Sequence, residues 1–161
     1  MTNLGLGGQC HLDPTVAMVI RDRPADLITL KLGVNCVISG SLNARTFPAA
    51  ITGMVSIIRE RQPLVPIGLV SPIMYPSREK EPNAVGCTMR DVRDAIRDVC
   101  QRLTDAGDRN LSFYDGLQIF GRAEMEQYSA DQCHPDADGI EVLAEAFDRI
   151  VMSDLMSRIR G

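Results

Sequence analysis

The sequence has no tryptophan, and aromatic residues make up only 4% of its 161 positions. Surfaces that stack nucleobases are built from aromatic side chains, so such a platform is not expected. Positive charge is not in excess either: the formal net charge is −4. That argues against binding through a basic face, and no nucleic-acid partner is expected. No apolar run approaches the roughly 18 residues of a membrane-spanning helix. No basic stretch followed by an apolar one opens the chain, so no secretory leader is read. There is no C-x-x-C, and the five cysteines (Cys10, Cys36, Cys87, Cys100, Cys133) are odd in number and irregularly spaced. Free thiols in a reducing compartment follow, and with Met1 as the true start the expected location is the cytoplasm. Cys10-His11 and Cys133-His134 could suggest zinc. Adjacent residues rarely both reach one metal, so no metal or other cofactor is expected. One further thing is missing: the chain opens Met-Thr-Asn-Leu-Gly-Leu-Gly-Gly, with neither strand nor helix ahead of a glycine-rich turn.

What is present fits a globular α/β domain. Hydrophobic residues are 45% and charged residues 24% of the chain, close to soluble averages. The length suits one domain, residues 1–161. Asp13-Pro14 has the cap and first-position signature of a helix running to about Asp22. Asp26 to Asn35 reads as a buried strand, and Thr46 to Gln62 as a helix with Thr46 at its cap. Pro66 to Pro72 reads as a second strand. A proline-rich, charged loop, Ile73 to Asn83, comes next. The third helix is expected from about Asn83 to Ala106, with Val85, Met89, Val92, Ile96, Val99 and Leu103 spaced three or four apart and Cys100 on its apolar stripe. Gly107 closes it. Asn110 to Asp115 reads as a third strand and the stretch to Asp138 as a loop. A last helix runs from about Gly139 to Ile159, with Asp138 and Glu141 at capping-box spacing. Alternating strands and helices with near-continuous apolar strands mean a parallel sheet covered on both faces.

In such sheets the chemistry gathers in the loops at the strand C-termini. Three segments lie there. The first is Asn3-Leu-Gly5-Leu-Gly7-Gly8, which taken alone reads as a tight turn. It is a poor dinucleotide loop, because Cys10 stands where the third glycine belongs. The second is Leu32-Gly-Val-Asn35, a strand end that carries an asparagine. The third is Asp131-Gln-Cys-His134-Pro135. An aspartate three residues before a histidine can bond the imidazole Nδ1–H, fix the tautomer and leave Nε2 free as a base.

In their order along the chain, N-x-G-x-G-G, L-G-x-N and D-x-x-H-P resemble the SGNH hydrolases, the GDSL-type esterases and lipases. The resemblance extends over essentially the whole chain. It implies a flavodoxin-like three-layer α/β/α sandwich and the hydrolysis of small-molecule esters. It implies that the Gly8 N–H and the Asn35 side-chain amide are oxyanion donors. It implies that His134 is the general base and Asp131 its orienter.

Two departures from the family pattern stand out. Cys36 follows Asn35 where the family usually has aspartate. More seriously, the family's nucleophilic serine lies in a G-D-S-like block on its first strand, and no G-D-S or G-S-S occurs in this sequence. The resemblance therefore implies a domain truncated at its N-terminus, without its first strand, first helix and most of its second strand. The sheet edge left open could pair with another copy. Ser39, Ser41, Ser71, Ser129, Cys10 and Cys36 are the candidates for a substitute nucleophile. The alternative function is an inactive remnant that binds a ligand or associates through that edge.

Overall fold

The computed structural model describes residues 1–159. Three four-residue strands, β1 (Ile28–Lys31), β2 (Ile67–Val70) and β3 (Leu111–Tyr114), form a parallel sheet in the order β1-β2-β3. In register, Ile28 lies beside Ile67 and Ile67 beside Leu111. Each strand-to-strand connection carries helix, as parallel pairing requires. Alternation divides the side chains between the faces. Ile28, Leu30, Ile67, Leu69 and Leu111 pack on one side against α1 (Pro14–Arg21), α3 (Thr46–Arg59) and α4 (Met89–Asp105). Val70 and Tyr114 face the other way, against α7 (Ala137–Phe147), a π-helical turn (Asp148–Met152) and α8 (Ser153–Ile159). The result is the expected α/β/α sandwich. The second helical layer covers β2 and β3 but not β1, whose Thr29 and Lys31 remain exposed.

Two polar hubs hold the N-terminal ends of the strands. The Arg59 guanidinium pairs with Asp108 at 2.8 and 3.0 Å and donates to the carbonyls of Gln62, Val65 and Asn110. This one side chain fixes the end of α3 to the entries of β2 and β3. Buried Gln62 donates from Nε2 to the carbonyls of Ile20, Arg21 and Arg23. That satisfies carbonyls which the end of α1 would otherwise leave unpaired.

Several boundaries differ from expectation for local reasons. The first strand stops at Lys31 instead of reaching Asn35. Gly33 adopts φ 102°, and a Cβ there would meet Val92 Cγ1 at 2.4 Å and Phe47 at 3.3 Å. The chain turns on this glycine into a short helix, α2 (Val34–Ser39), that buries Cys36 and Val37. At α3 the capping turn is built by Asn43, whose Oδ1 accepts from the Arg45 and Thr46 amides. The third expected helix starts at Met89, six residues late. Asn83 instead closes a turn by accepting from the Val85 and Cys87 amides, and Thr88 and Asp91 form the true capping box. The expected loop before the last helix holds α5 (Gly116–Ile119) and α6 (Arg122–Tyr128). The last helix is capped by Asp136, which accepts from the Gly139 amide at 2.8 Å, and not by Asp138. Among the described residues, no helix is long and apolar enough to cross a membrane.

Candidate active site

The Asp131–His134 loop hangs between α6 and α7. The two helices approach closely there: a Cβ on Gly139 would lie 2.7 Å from Tyr128 Cβ and 3.1 Å from Pro135 Cβ. Asp136 N–H donates to the Tyr128 carbonyl at 2.7 Å, which closes the loop at its base. Within it the Asp131 carboxylate is the centre. Its Oδ1 accepts from the amides of Cys133 (2.9 Å) and His134 (2.7 Å) and from the Ser129 hydroxyl (3.1 Å). Its Oδ2 lies 2.8 Å from His134 Nδ1. These donors, the imidazole first among them, hold the carboxyl well below the usual aspartate range. The imidazole is thereby oriented, with Nε2 pointing away from its partner. The pair is open to solvent: the His134 side chain is 81% exposed and that of Asp131 56%.

Gly8 and Asn35 meet through a third residue. Asn35 is not at a strand end but in the first turn of α2, and its side-chain Oδ1 accepts from the Cys10 amide at 3.1 Å. The glycine block is thereby tied to α2, and the Asn35 NH₂ is left without an acceptor among the described residues. Gly8 sits in an exposed turn at φ 70°, closed by Gln9 N–H donating to Leu6 O at 3.1 Å.

Lys31 stands at the end of β1. Its side chain is exposed, yet crowding around the ammonium pushes its pKa down, and both Cys10 and Cys133 lie within electrostatic range of it. The phenol of Tyr75, on the loop after β2, is pushed up chiefly by burial. That loop is held down by an ion pair between Glu79 and buried Arg93, which also donates to the Pro72 carbonyl. Two non-glycine residues have left-handed backbones among the described residues: Leu12 (φ 64°), just after the glycine block, and Gln132 (φ 58°), inside the histidine loop. Each such residue costs about 1–2 kcal/mol, and strain of this kind collects at functional sites.

None of the six substitute nucleophiles considered from the sequence bonds the His134 imidazole. Ser39 donates to the Asn35 carbonyl, and Ser41 lies 2.8 Å from His11 Nδ1. Ser71 is fully buried and accepts from the Gly116 amide. Ser129 serves Asp131. Cys36 is buried and donates to the Cys10 carbonyl, while Cys10 itself faces the Lys31 carbonyl at 4.0 Å. Cys133, weighed from the sequence only as a zinc ligand, has its Sγ 3.9 Å from His134 Nε2. The adjacency of Cys133 and His134 was its signal.

Comparison with known proteins bears on the family and the fold. The profile of the GDSL-like lipase/acylhydrolase family matches residues 1–142. Among solved structures, the chain is similar to a salicylyl-acyltransferase from a tetracycline biosynthetic pathway (37% identity, TM-score 0.81), covering 89% of this chain and 42% of that one. It also superposes on a Bacteroides ovatus protein described as a GDSL-like lipase (17% identity, TM-score 0.76, 93% of this chain and 42% of that one). A family 3 carbohydrate esterase from Talaromyces cellulolyticus is a third neighbour (19% identity, TM-score 0.67, 88% and 65%). The last two likenesses speak for the fold alone. A comparison with curated proteins finds no match. The chain thus spans less than half the length of two of these solved chains. With its parallel sheet, its D-x-x-H loop and a profile match over most of its length, the chain belongs to the GDSL-like lipase/acylhydrolase family.

Proposed function

We propose that this chain carries the base side and the oxyanion side of an ester-hydrolysing site whose serine nucleophile lies outside these residues. The observation that carries the reading is the Asp131–His134 contact at 2.8 Å, which turns Nε2 away from the carboxylate. In the reaction, a serine hydroxyl attacks the ester carbonyl and His134 Nε2 takes its proton. The same proton then goes to the leaving alcohol, and water repeats the cycle on the acyl-enzyme. Asp131 keeps the imidazole in the productive tautomer and supports it when charged. The Gly8 N–H and the Asn35 NH₂ face the developing oxyanion, and each such donor typically contributes about 10²–10³ in rate. The substrate is a small ester, and the loop held by Glu79 and Arg93 forms its outer wall.

The likeness to a salicylyl-acyltransferase favours a second reading, in which an alcohol replaces water as the acyl acceptor. One experiment addresses both. The chain is fused behind a Gly-Asp-Ser strand from a family esterase and given a short-chain aryl ester, with and without added alcohols. Hydrolysis that collapses in His134→Ala supports the assignment, and product diverted to the added alcohol supports transfer. Full activity in His134→Ala would overturn both. Stoichiometric labelling of the 161-residue chain by a serine-reactive phosphonate would show instead that the serine lies within it.

A further inference from the structure

The base of this site already has a nucleophile beside it. Cys133 Sγ lies 3.9 Å from His134 Nε2, and His134 Nδ1 lies 2.8 Å from the Asp131 carboxylate. With Nδ1–H given to Asp131, Nε2 carries the lone pair, and Cys133 is its one hydrogen-bond partner among the described residues. A nucleophile within reach of a base that a third group orients is the arrangement that activates thiols and hydroxyls. Cys133 is also set apart from the other cysteines. Cys36, Cys87 and Cys100 are buried, and burial pushes the thiols of Cys10, Cys36, Cys87 and Cys100 upward. Cys133 is partly exposed, next to an open histidine.

We propose that Cys133 is an acyl-accepting nucleophile of this chain, using His134 as base and Asp131 as the orienter of that base. The ligand class is an activated acyl donor, an ester with a good leaving alcohol. The thiol proton passes to His134 Nε2 as Sγ bonds the carbonyl carbon. The bond from that carbon to the leaving oxygen breaks, and the alcohol departs with the proton from Nε2. A thioester on Cys133 results, and water attack on it releases the acid and restores the thiol. The proposal rests on reading His134 as a base, but it needs no serine.

The test uses the 161-residue chain with p-nitrophenyl acetate, followed by intact mass and peptide mapping. One acetyl group on Cys133, removed by neutral hydroxylamine, is expected. Cys133→Ala should abolish the adduct. His134→Gln should slow its formation by about 10²-fold, with an unchanged melting curve as the check on folding. An acetyl group on a serine or on Cys10, or no adduct together with no p-nitrophenol release above that of Cys133→Ala, overturns the proposal. So does an acetylation rate on Cys133 that His134→Gln leaves unchanged, since that would be an ordinary exposed thiol. If the chain fused to a Gly-Asp-Ser strand hydrolyses esters through His134 while Cys133 of the 161-residue chain takes no acyl group, the function proposed above stands and this inference alone fails.

Discussion

The two ends of the sheet each centre on an aspartate, and they use it in opposite ways. At the N-terminal end Asp108 pairs with Arg59, whose side chains are only 17% and 15% exposed, and the guanidinium's remaining donors all go to backbone carbonyls. Every donor of the Arg59 guanidinium is satisfied from within, so this ion pair holds the fold together. At the C-terminal end Asp131 is equally well bonded, but its partner His134 is open to solvent, and its second nitrogen meets only the Cys133 thiol among the described residues. Closed hydrogen bonding makes structure; one deliberately unfinished position makes chemistry. Neither the number of bonds nor the charge separates the two aspartates. What separates them is whether the partner has something left to give.

That contrast can be broken experimentally. The largest effect is expected from His134→Ala in the fused chain. Ester turnover should fall by at least about 10²-fold, while the thermal midpoint hardly moves, because the ring is exposed and buries little. Next comes Arg59→Ala, which strands the Asp108 carboxylate and three carbonyls. Denaturant titration should show a loss of about 3 kcal/mol. If His134→Ala destabilised as much as Arg59→Ala, the division between the two ends would be wrong. Gly33→Ala should cost about 2 kcal/mol from backbone strain alone, and Val92 must also shift to admit the methyl. An intact melting curve there would contradict the packing at the end of β1.

The smallest effect is a titration. Asp131 is held below the ordinary range by His134 and by two backbone amides. A folded pKa below the unfolded value favours the folded loop above the unfolded value, and this is lost only as pH falls through the folded one. The Asp131 carboxyl carbon should therefore remain untitrated by NMR at about pH 3.9, where a free aspartate is half protonated. In His134→Ala its midpoint should move back toward that value. Unchanged titration in the variant would mean that the imidazole does not orient the pair.

The readings that succeeded were local ones. Asp13-Pro14 starts α1, and the Thr46 helix and the apolar runs of β2 and β3 lie where periodicity puts them. Asp131 and His134 could be read as a pair because three residues in one tight loop settle the contact. The failures needed long-range information. Leu32-Gly-Val-Asn looks like a strand end until Phe47 and Val92 crowd Gly33 and turn the chain into α2. Val85 extends the apolar spacing of α4 by one turn, yet it is exposed. The Asn83 amide that reaches the Val37 carbonyl, 46 residues away, keeps that turn out of the helix. Thr88 and Asp91 were a readable start signal that the apolar stripe overrode. The bond between Asn35 and the Cys10 amide could not be read at all, since a backbone N–H leaves no mark in the sequence.

That bond also gives the side chain a polarity. An amide has two nearly identical ends, and which one faces the solvent is ordinarily a matter of indifference. Here the Cys10 N–H donates to the oxygen end, so the nitrogen end is keyed outward. Aspartate at position 35 would satisfy Cys10 equally well and hold the glycine block in place, but would present a negative oxygen where the amide presents N–H. The backbone of one segment thus acts as a lock that a carboxylate also fits, while only the amide leaves a hydrogen facing out.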